Sequence, residues 1–336
     1  MLNAAVLAVE ERNQKGGIDG KQISLHIEDD RDDPDKALVA SENLIRSDVL
    51  AVIGHYSSSA IQATLPHYAK AGLPLISPAV ALTHIQGEGD TFFRTLNTNK
   101  KQAVAASQWI RQAGYQQVAI VHNQSTYGRD LAQHMLIALR QPPKKGVPQQ
   151  ITVLEDDGSM AVIEAFQKDI PELVFYAGGY KAASHFLNTL FSQGVAVDWM
   201  GGRTLWEHDF IRLLGAEQAR TGWVMATPTT PDVTTFNTLY SQRFGRPGPF
   251  AYSTYMALQS LFQSLEDQPK KITRESVRKA LQAHFSRYEP PALSVFSLKD
   301  ADSFDPAVLT DPVATGAGQQ MGRLLAISKA AAAKPQ

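Results

Sequence analysis

Three consecutive serines, Ser57, Ser58 and Ser59, follow a short apolar run from Val49 to Ile53. The run is typical of a strand covered on both faces of a parallel sheet, and the serines stand where the next helix should begin. Unpaired N–H groups and the dipole at a helix start favour an anion, and open α/β sheets bind ligands beyond the carboxyl ends of their strands. The sequence therefore predicts an anion-binding turn, or else serines that only cap the helix.

No pattern typical of catalysis accompanies this turn. The sequences G-x-S-x-G, G-x-G-x-x-G and the P-loop are absent, and the nine histidines are scattered. Glu207, His208 and Asp209 could ligate a metal, but adjacent residues rarely converge on one ion, so a solvated helix start is favoured. The acidic run from Glu28 to Asp33 lacks the pattern of an EF-hand loop and indicates a solvated turn before a helix cap. We expect no enzyme, no metal site and no cofactor.

Composition narrows the possible partners. The chain has 336 residues, of which 43% are hydrophobic and 19% charged, with a formal net charge of -1. This length allows two globular domains, and the near-zero charge without a Lys/Arg-rich block argues against nucleic acid and anionic membrane as partners. The absence of cysteine excludes disulfides and thiolate chemistry.

Strand and helix patterns alternate along the chain and predict where the serine turn sits. An amphipathic helix opens at Leu2, a strand is expected from Ile23 to Glu28, and Asp33 with Pro34 marks the next helix start. Repeated βα units indicate parallel sheets with right-handed crossovers. A break near Leu96 divides them into two doubly wound sheets of the α/β class.

The chain resembles the periplasmic leucine/isoleucine/valine-binding proteins, which are the solute receptors of branched-chain amino-acid type ABC transporters. The resemblance extends from about Ala4 to Leu281 and fades after Tyr288. The stretches that carry it are NQKGGIDGKQISL with EDDRDDPDKA, VIGHYSSSA, LPLISPAVA, FFRT, VAIVHNQSTYGRDLA, FYAGGY, WMGG and PFAYSTYMALQS.

This resemblance implies a type I periplasmic binding protein fold, with two lobes joined by three crossing segments. Lobe one is expected from 1–96 plus 226–292, and lobe two from 97–225 plus 293–329. The last residues, 330–336, are small and polar and should fray. A ligand in the cleft would stabilise the closed form by contacting both lobes.

The resemblance also implies the ligand-binding residues. A serine at Ser58 would grip the ligand carboxylate with help from backbone N–H groups of the following loop, and aromatic side chains would line the pocket. Tyr127 could instead be a packing residue at a helix start, and Phe250 a core residue. The loop residues and the aromatic residues are Ala79, Val80 and Ala81, and Tyr127, Tyr180 and Phe250.

Two departures from the resemblance concern the ligand's ammonium group. Members that bind amino acids place a threonine where this chain has Ala81 and a glutamate where it has Arg203. A methyl group and a cation would not hold an ammonium. We expect a ligand that keeps the carboxylate but lacks the α-amino group, such as a 2-oxo acid, an aromatic or branched carboxylate, or a dicarboxylate clamped by Arg203. Alternatively, Arg203 points to solvent or pairs with Asp198.

A third departure concerns the first sheet. Family members have a central strand before the opening helix, between the strands that match Ile23 to Glu28 and Val49 to Gly54, and this sequence lacks it. An empty slot would leave two unpaired strand edges. Truncation is the favoured explanation, and the late apolar run from Leu324 to Ile327 or a partner chain are the other candidates.

The function implied is a periplasmic receptor that delivers a small carboxylate to an ABC permease, as a monomer or weak dimer. The given sequence shows no signal peptide. A ligand-sensing domain of a signalling receptor or cytosolic regulator with the same fold is the alternative, as is a conventional branched-chain amino-acid binder.

Overall fold

The computed structural model divides the chain into two compact units. It describes residues 1–85, 87–141, 147–228, 230–266, 272–298 and, for the backbone, 323–329. Unit 1 comprises Met1–Leu96, Thr229–Pro290 and Ala314–Gln336, and unit 2 comprises Asn97–Pro228 and Pro291–Val313. The segment 330–336, expected to fray, lies outside the described residues.

Unit 1 contains a five-stranded sheet with helices packed against it. The strand order is β1-β11-β2-β3-β4, in which β2, β3 and β4 are parallel. The strands are β1 (Ile23–Asp29), β2 (Ala51–Ile53), β3 (Leu75–Ser77), β4 (Phe92–Arg94) and β11 (Arg323–Lys329). The helices are α1 (Leu2–Gln14), α2 (Pro34–Arg46), α3 (Ser58–Lys70), α10 (Pro231–Phe244), α11 (Ala251–Leu265) and α12 (Arg274–Phe285).

Local sequence signals explain where these helices begin. Asp33 caps α2 by accepting the amides of Asp35 and Lys36, and Pro34 occupies the first helical position, where its missing N–H costs nothing. Ser57 caps α3 by accepting the Ala60 amide. The predicted opening helix, first strand and capped second helix are therefore all present in unit 1.

Strand β11 fills the slot that the sequence left open. It lies between β1 and β2 and runs antiparallel to both, with Ala326 opposite His26 on one side and Val52 on the other. The run from Leu324 to Ile327, named as one candidate for this slot, therefore supplies the strand. Residues up to 329 were expected in lobe two, whereas β11 lies in unit 1. The physical reason is that β1 and β2 would lose backbone hydrogen bonds if their facing edges stayed unpaired.

Unit 2 contains a six-stranded sheet of order β10-β9-β8-β7-β5-β6, parallel except for β10. The strands are β5 (Gln117–Asn123), β6 (Gln150–Asp156), β7 (Leu173–Ala177), β8 (Asp198–Gly201), β9 (Gly222–Ala226) and β10 (Ser294–Ser297). The helices are α4 (Asn99–Ala113), α5 (Thr126–Arg140), α6 (Ala161–Lys168), α7 (Tyr180–Ser192), α8 (His208–Leu214) and α9 (Ala216–Ala219). A short 3-10 helix, Arg203–Leu205, follows β8.

Each unit has its own apolar core. In unit 1, α1 and α11 pack with β2 around residues such as Ala257 and Leu258, which are fully buried. In unit 2, β5 and β7 pack against α4 and α5 around Ile120 and Phe175. Within the described part of the chain, no helix has the length and apolar character needed to cross a membrane.

Replacing Ala326 by proline tests the place of β11. Proline removes an N–H from a strand paired on both sides, so Ala326→Pro should destabilise unit 1 by about 3 kcal/mol, and Ala326→Ser, which keeps the N–H, by much less. Hydrogen exchange of the β1 and β2 amides should rise in the proline variant. Unchanged protection of both strands would contradict the pairing.

Arg274 on α12 provides a second stability test. Its guanidinium donates to the carbonyl oxygens of Val49 (2.8 Å), Ser47 (2.6 Å) and Ile45 (3.0 Å), joining α12 to the end of α2. Arg274→Met should lower the free energy of unfolding by about 2 kcal/mol in denaturant melts. The control Arg46→Met removes an exposed arginine and should cost at most about 0.5 kcal/mol.

Candidate functional site

In the serine turn of unit 1, the residue that caps helix α3 is not the serine predicted to contact the ligand. Ser57 is the cap, with its Oγ 3.3 Å from the Ala60 amide nitrogen and 3.3 Å from Ser59 Oγ. Ser58 is the first residue of α3 and is 7% exposed. Because the cap is Ser57, Ser58 places a second hydroxyl at the helix N-terminus, where backbone N–H groups already favour an anion.

The loop after β3 lies at the same edge of the unit 1 sheet, but most of its amides have partners. Ser77 Oγ accepts the amide of Val80 at 3.1 Å and that of Ala79 at 3.5 Å. Val80 and Ala81 are buried, with 1% and 3% exposure. The predicted help from this loop therefore depends mainly on the Ala81 amide.

Phe250 adjoins both of these turns. It precedes α11 and stacks edge-to-face on Tyr56, the residue before the serines, with ring centroids 5.6 Å apart. Ser253, one turn into α11, donates to the carbonyl oxygen of Pro78 at 2.7 Å. The candidate residues of unit 1 thus form one group around the carboxyl ends of β2 and β3.

Tyr127 in unit 2 turns its hydroxyl toward the segment after β8. A Cβ on Gly202 would lie 2.6 Å from that hydroxyl oxygen. The oxygen is buried and makes no hydrogen bond of good geometry to any residue that the structure describes. Burial raises the pKa of Tyr127, while Thr204, Arg203 and Gln102 nearby act in the opposite direction. The Tyr127 hydroxyl therefore keeps its proton and can donate a hydrogen bond.

Arg203 is held by one backbone group and one side chain of its own unit. Its guanidinium Nη2 donates to the Asn97 carbonyl oxygen at 2.9 Å, and its amide donates to Gln102 Oε1 at 3.1 Å. The alternative partner Asp198 lies at the other end of β8 and accepts the Tyr115 hydroxyl at 2.6 Å. The positive charge is therefore fixed near Tyr127.

Tyr180 begins α7 and is 7% exposed. Burial raises its pKa, and the carboxylates of Glu207 and Asp209 add to that shift. Glu207 precedes α8 as its N-cap residue, which agrees with the predicted helix start. Among the described residues, no cluster of three or more His, Asp or Glu has the arrangement to hold a metal ion.

The structure reveals a buried polar pair that the sequence did not indicate. Asp30 and His55 are each 1% exposed, and Asp30 Oδ2 lies 2.6 Å from His55 Nδ1. The interpretation of the whole acidic run as a solvated turn is therefore wrong for Asp30. A histidine between Gly54 and Tyr56 carries no local signal that its partner lies 25 residues away.

Comparison with known proteins identifies the family. The model of the periplasmic binding protein family matches residues 1–303. The chain belongs to this family. This match and the solved structures below confirm the predicted resemblance and the α/β fold class, and the relatives are named as binding proteins and not as enzymes, as expected.

Three relatives illustrate the relation. The leucine-specific-binding protein of Salmonella typhimurium is 28% identical over 268 residues, which are 77% of this chain and 72% of that protein. A branched-chain amino acid transporter substrate binding protein from Streptococcus pneumoniae, solved with isoleucine, has a TM-score of 0.72 at 22% identity and covers 83% of this chain and 81% of its own. A fatty acid ABC transporter substrate-binding protein from Thermomonospora curvata has a TM-score of 0.74 at 17% identity, covering 88% and 82%.

Two glycines in unit 2 test whether Tyr127 contributes to ligand binding. Gly202→Ala places a methyl group against the Tyr127 hydroxyl and against Leu131, whereas a Cβ on Gly179 meets nothing within 4 Å. We expect Gly202→Ala to displace Tyr127, to cost about 1–3 kcal/mol of stability and to weaken ligand binding. Gly179→Ala should leave binding unchanged in calorimetric titration. Equal affinities in the two variants would contradict a role for Tyr127.

Proposed function

We propose that this periplasmic binding protein is the receptor of a branched-chain amino-acid type ABC transporter, and that its ligand is a small carboxylate without an α-amino group. The observation that carries the proposal is Arg203, whose guanidinium donates to the Asn97 carbonyl oxygen and partly offsets the rise that burial gives the pKa of Tyr127, at the position where the resemblance would put a glutamate.

The carboxylate end of the ligand would be held in unit 1. Ser58 offers a hydroxyl at the first position of α3, and the adjoining helix N-terminus favours a negative charge. The Ala81 amide adds a third donor. Hydrogen bonds from several neutral donors to one carboxylate are charge-assisted and therefore strong.

The threonine and the glutamate that would hold an ammonium group in amino-acid binders are replaced here by Ala81 and Arg203. Ala81 is 3% exposed and presents a methyl group, which accepts no hydrogen bond from an N–H donor. A carboxylate would attract a ligand ammonium at about 4 Å by about 4 kcal/mol under an effective dielectric constant near 20. A guanidinium at the same place would repel it by the same amount. Arg203 and Tyr127 both donate, so they suit an oxo, hydroxyl or carboxylate oxygen.

Two comparisons bear on the ligand class in opposite directions. A neighbour of the same fold is named as a fatty acid transporter's receptor, so the fold also occurs in a protein whose named ligand lacks an amino group. The curated relatives are named for leucine, isoleucine and valine, which favours a conventional amino-acid binder as the second candidate.

The remaining parts of the proposal follow from the family. The family is that of the periplasmic binding proteins, and a solved neighbour of the same fold is named as an ABC transporter substrate-binding protein, so we infer a periplasmic location and a membrane permease as partner. A sensory domain of the same fold remains the alternative, and the genes beside its coding sequence would distinguish the two roles.

A thermal-shift comparison of leucine with its deaminated analogue 4-methyl-2-oxopentanoate tests the ligand class. A ligand at 100 times its Kd stabilises the native state by about 2.7 kcal/mol. We expect a larger rise in Tm with the oxo acid, and a reversed preference in the double variant Ala81→Thr/Arg203→Glu. A larger rise with leucine in the unaltered protein would refute the proposed ligand class and favour the amino-acid binder.

A further inference from the structure

The Asp30–His55 pair lies directly beneath the serine turn. Asp30 is the first residue after β1, and His55 comes two residues after β2 and two before Ser57. Both belong to unit 1, and both are almost fully buried. A buried carboxylate is costly unless its oxygens are hydrogen-bonded, so its contacts show what it holds in place.

One carboxylate oxygen of Asp30 contacts His55, whose ring in turn contacts two residues of helix α3. Asp30 Oδ2 contacts His55 Nδ1 at 2.6 Å, and His55 Nε2 lies 3.1 Å from Thr64 Oγ1 and 3.2 Å from the Tyr68 hydroxyl. Thr64 in turn donates to the Ala60 carbonyl oxygen at 2.8 Å. Thr64 and Tyr68 are fully buried. The imidazole therefore ties the carboxyl end of β2 to successive turns of α3.

The second carboxylate oxygen of Asp30 contacts Asp32, which lies near the serine turn. Asp30 Oδ1 accepts the amide of Asp32 at 3.0 Å, and Asp32 has a left-handed backbone with φ of 56°. This conformation is uncommon for a residue other than glycine, so local contacts must support it. Burial raises the pKa of the Asp32 carboxyl, and the nearby Ser57 hydroxyl acts in the opposite direction, so this carboxyl lies close to the serine turn. Asp30 is thus connected to the serine turn along two routes.

We propose that Asp30 is a positioning residue for ligand binding: through His55 and Asp32 it fixes the turn that presents Ser58. The inference rests on the proposed function, since it assumes that Ser58 contacts the carboxylate. It adds a residue that need not touch the ligand. The same two oxygen contacts that satisfy the buried carboxylate set the direction of the Ser58 hydroxyl.

Three variants separate positioning from mere stability. Asp30→Ala removes both routes. Asp30→Asn can keep both. Its amide oxygen can accept the Asp32 amide, and its NH₂ group can donate to His55 Nδ1 when that nitrogen carries no proton. Leu44→Ala, at a fully buried position in the core that α2 shares with α3, is the control that weakens this packing while leaving both Asp30 contacts in place.

The test is a double-mutant cycle in calorimetric titrations well below Tm. The probe is leucine or 4-methyl-2-oxopentanoate, whichever stabilises the unaltered protein more. Asp30→Ala should raise Kd about tenfold, whereas Asp30→Asn and Leu44→Ala should stay within about threefold. In a Ser58→Ala background, Asp30→Ala should add little, because the hydroxyl that it positions is gone. A similar cost in both backgrounds, or an unchanged Kd, would overturn the inference.

Hydrogen exchange without ligand keeps the two proposals distinguishable. Amides at the start of α3, Ser59 to Ile61, should exchange faster in Asp30→Ala than in Leu44→Ala at matched stability. If Ser58→Ala leaves Kd unchanged while exchange rises as expected, Asp30 orders the turn but the proposed ligand contact is wrong. If exchange is alike in the two variants, Asp30 does not position the turn.

Discussion

A buried carboxylate can be kept in a folded protein only when neighbouring groups satisfy its oxygens, and in unit 1 this constraint acts at the serine turn. Asp30 meets it with the imidazole of His55 and the amide of Asp32. His55 lies two residues before the serines, and Asp32 lies near Ser57. The cost of burying one charge is therefore coupled to the geometry of a turn that favours an anion at its N–H groups.

Unit 2 holds the backbone of Arg203 by a comparable arrangement of buried polar groups. The Arg203 amide donates to Gln102 Oε1, Gln102 Nε2 donates to Asn99 Oδ1 at 2.9 Å, and Asn99 Nδ2 donates to Asp130 Oδ2 at 2.8 Å. Gln102 and Asn99 are fully buried. Such chains hold a site rigid because every member is satisfied. Within unit 2, these bonds therefore fix the backbone at the start of the segment that carries Arg203.

The sequence predicted those features that depend on local patterns. The α2 cap at Asp33 and the alternating strands were predicted because capping residues and apolar periodicity act over a few residues. Ser58, Tyr127 and Arg203 were found through the resemblance, which also led to the family. Their role in binding stays a prediction.

Features that depend on distant pairing were missed or left open. The Asp30–His55 contact joins residues 25 apart, and an acidic run in sequence normally indicates a solvated turn. The strand β11 pairs with two strands that lie within the first 53 residues of the chain, and the backbone requirement of β1 and β2 explains its place. Sequence patterns carry no signal for such long-range choices.

A crystal structure of the protein with its physiological small molecule tests the central claim most directly. The account predicts a ligand carboxylate oxygen within about 3 Å of Ser58 Oγ, with the imidazole of His55 still on Asp30 and no ligand nitrogen near Arg203. A ligand ammonium beside Arg203, or a Ser58 hydroxyl directed away from the bound molecule, would contradict it.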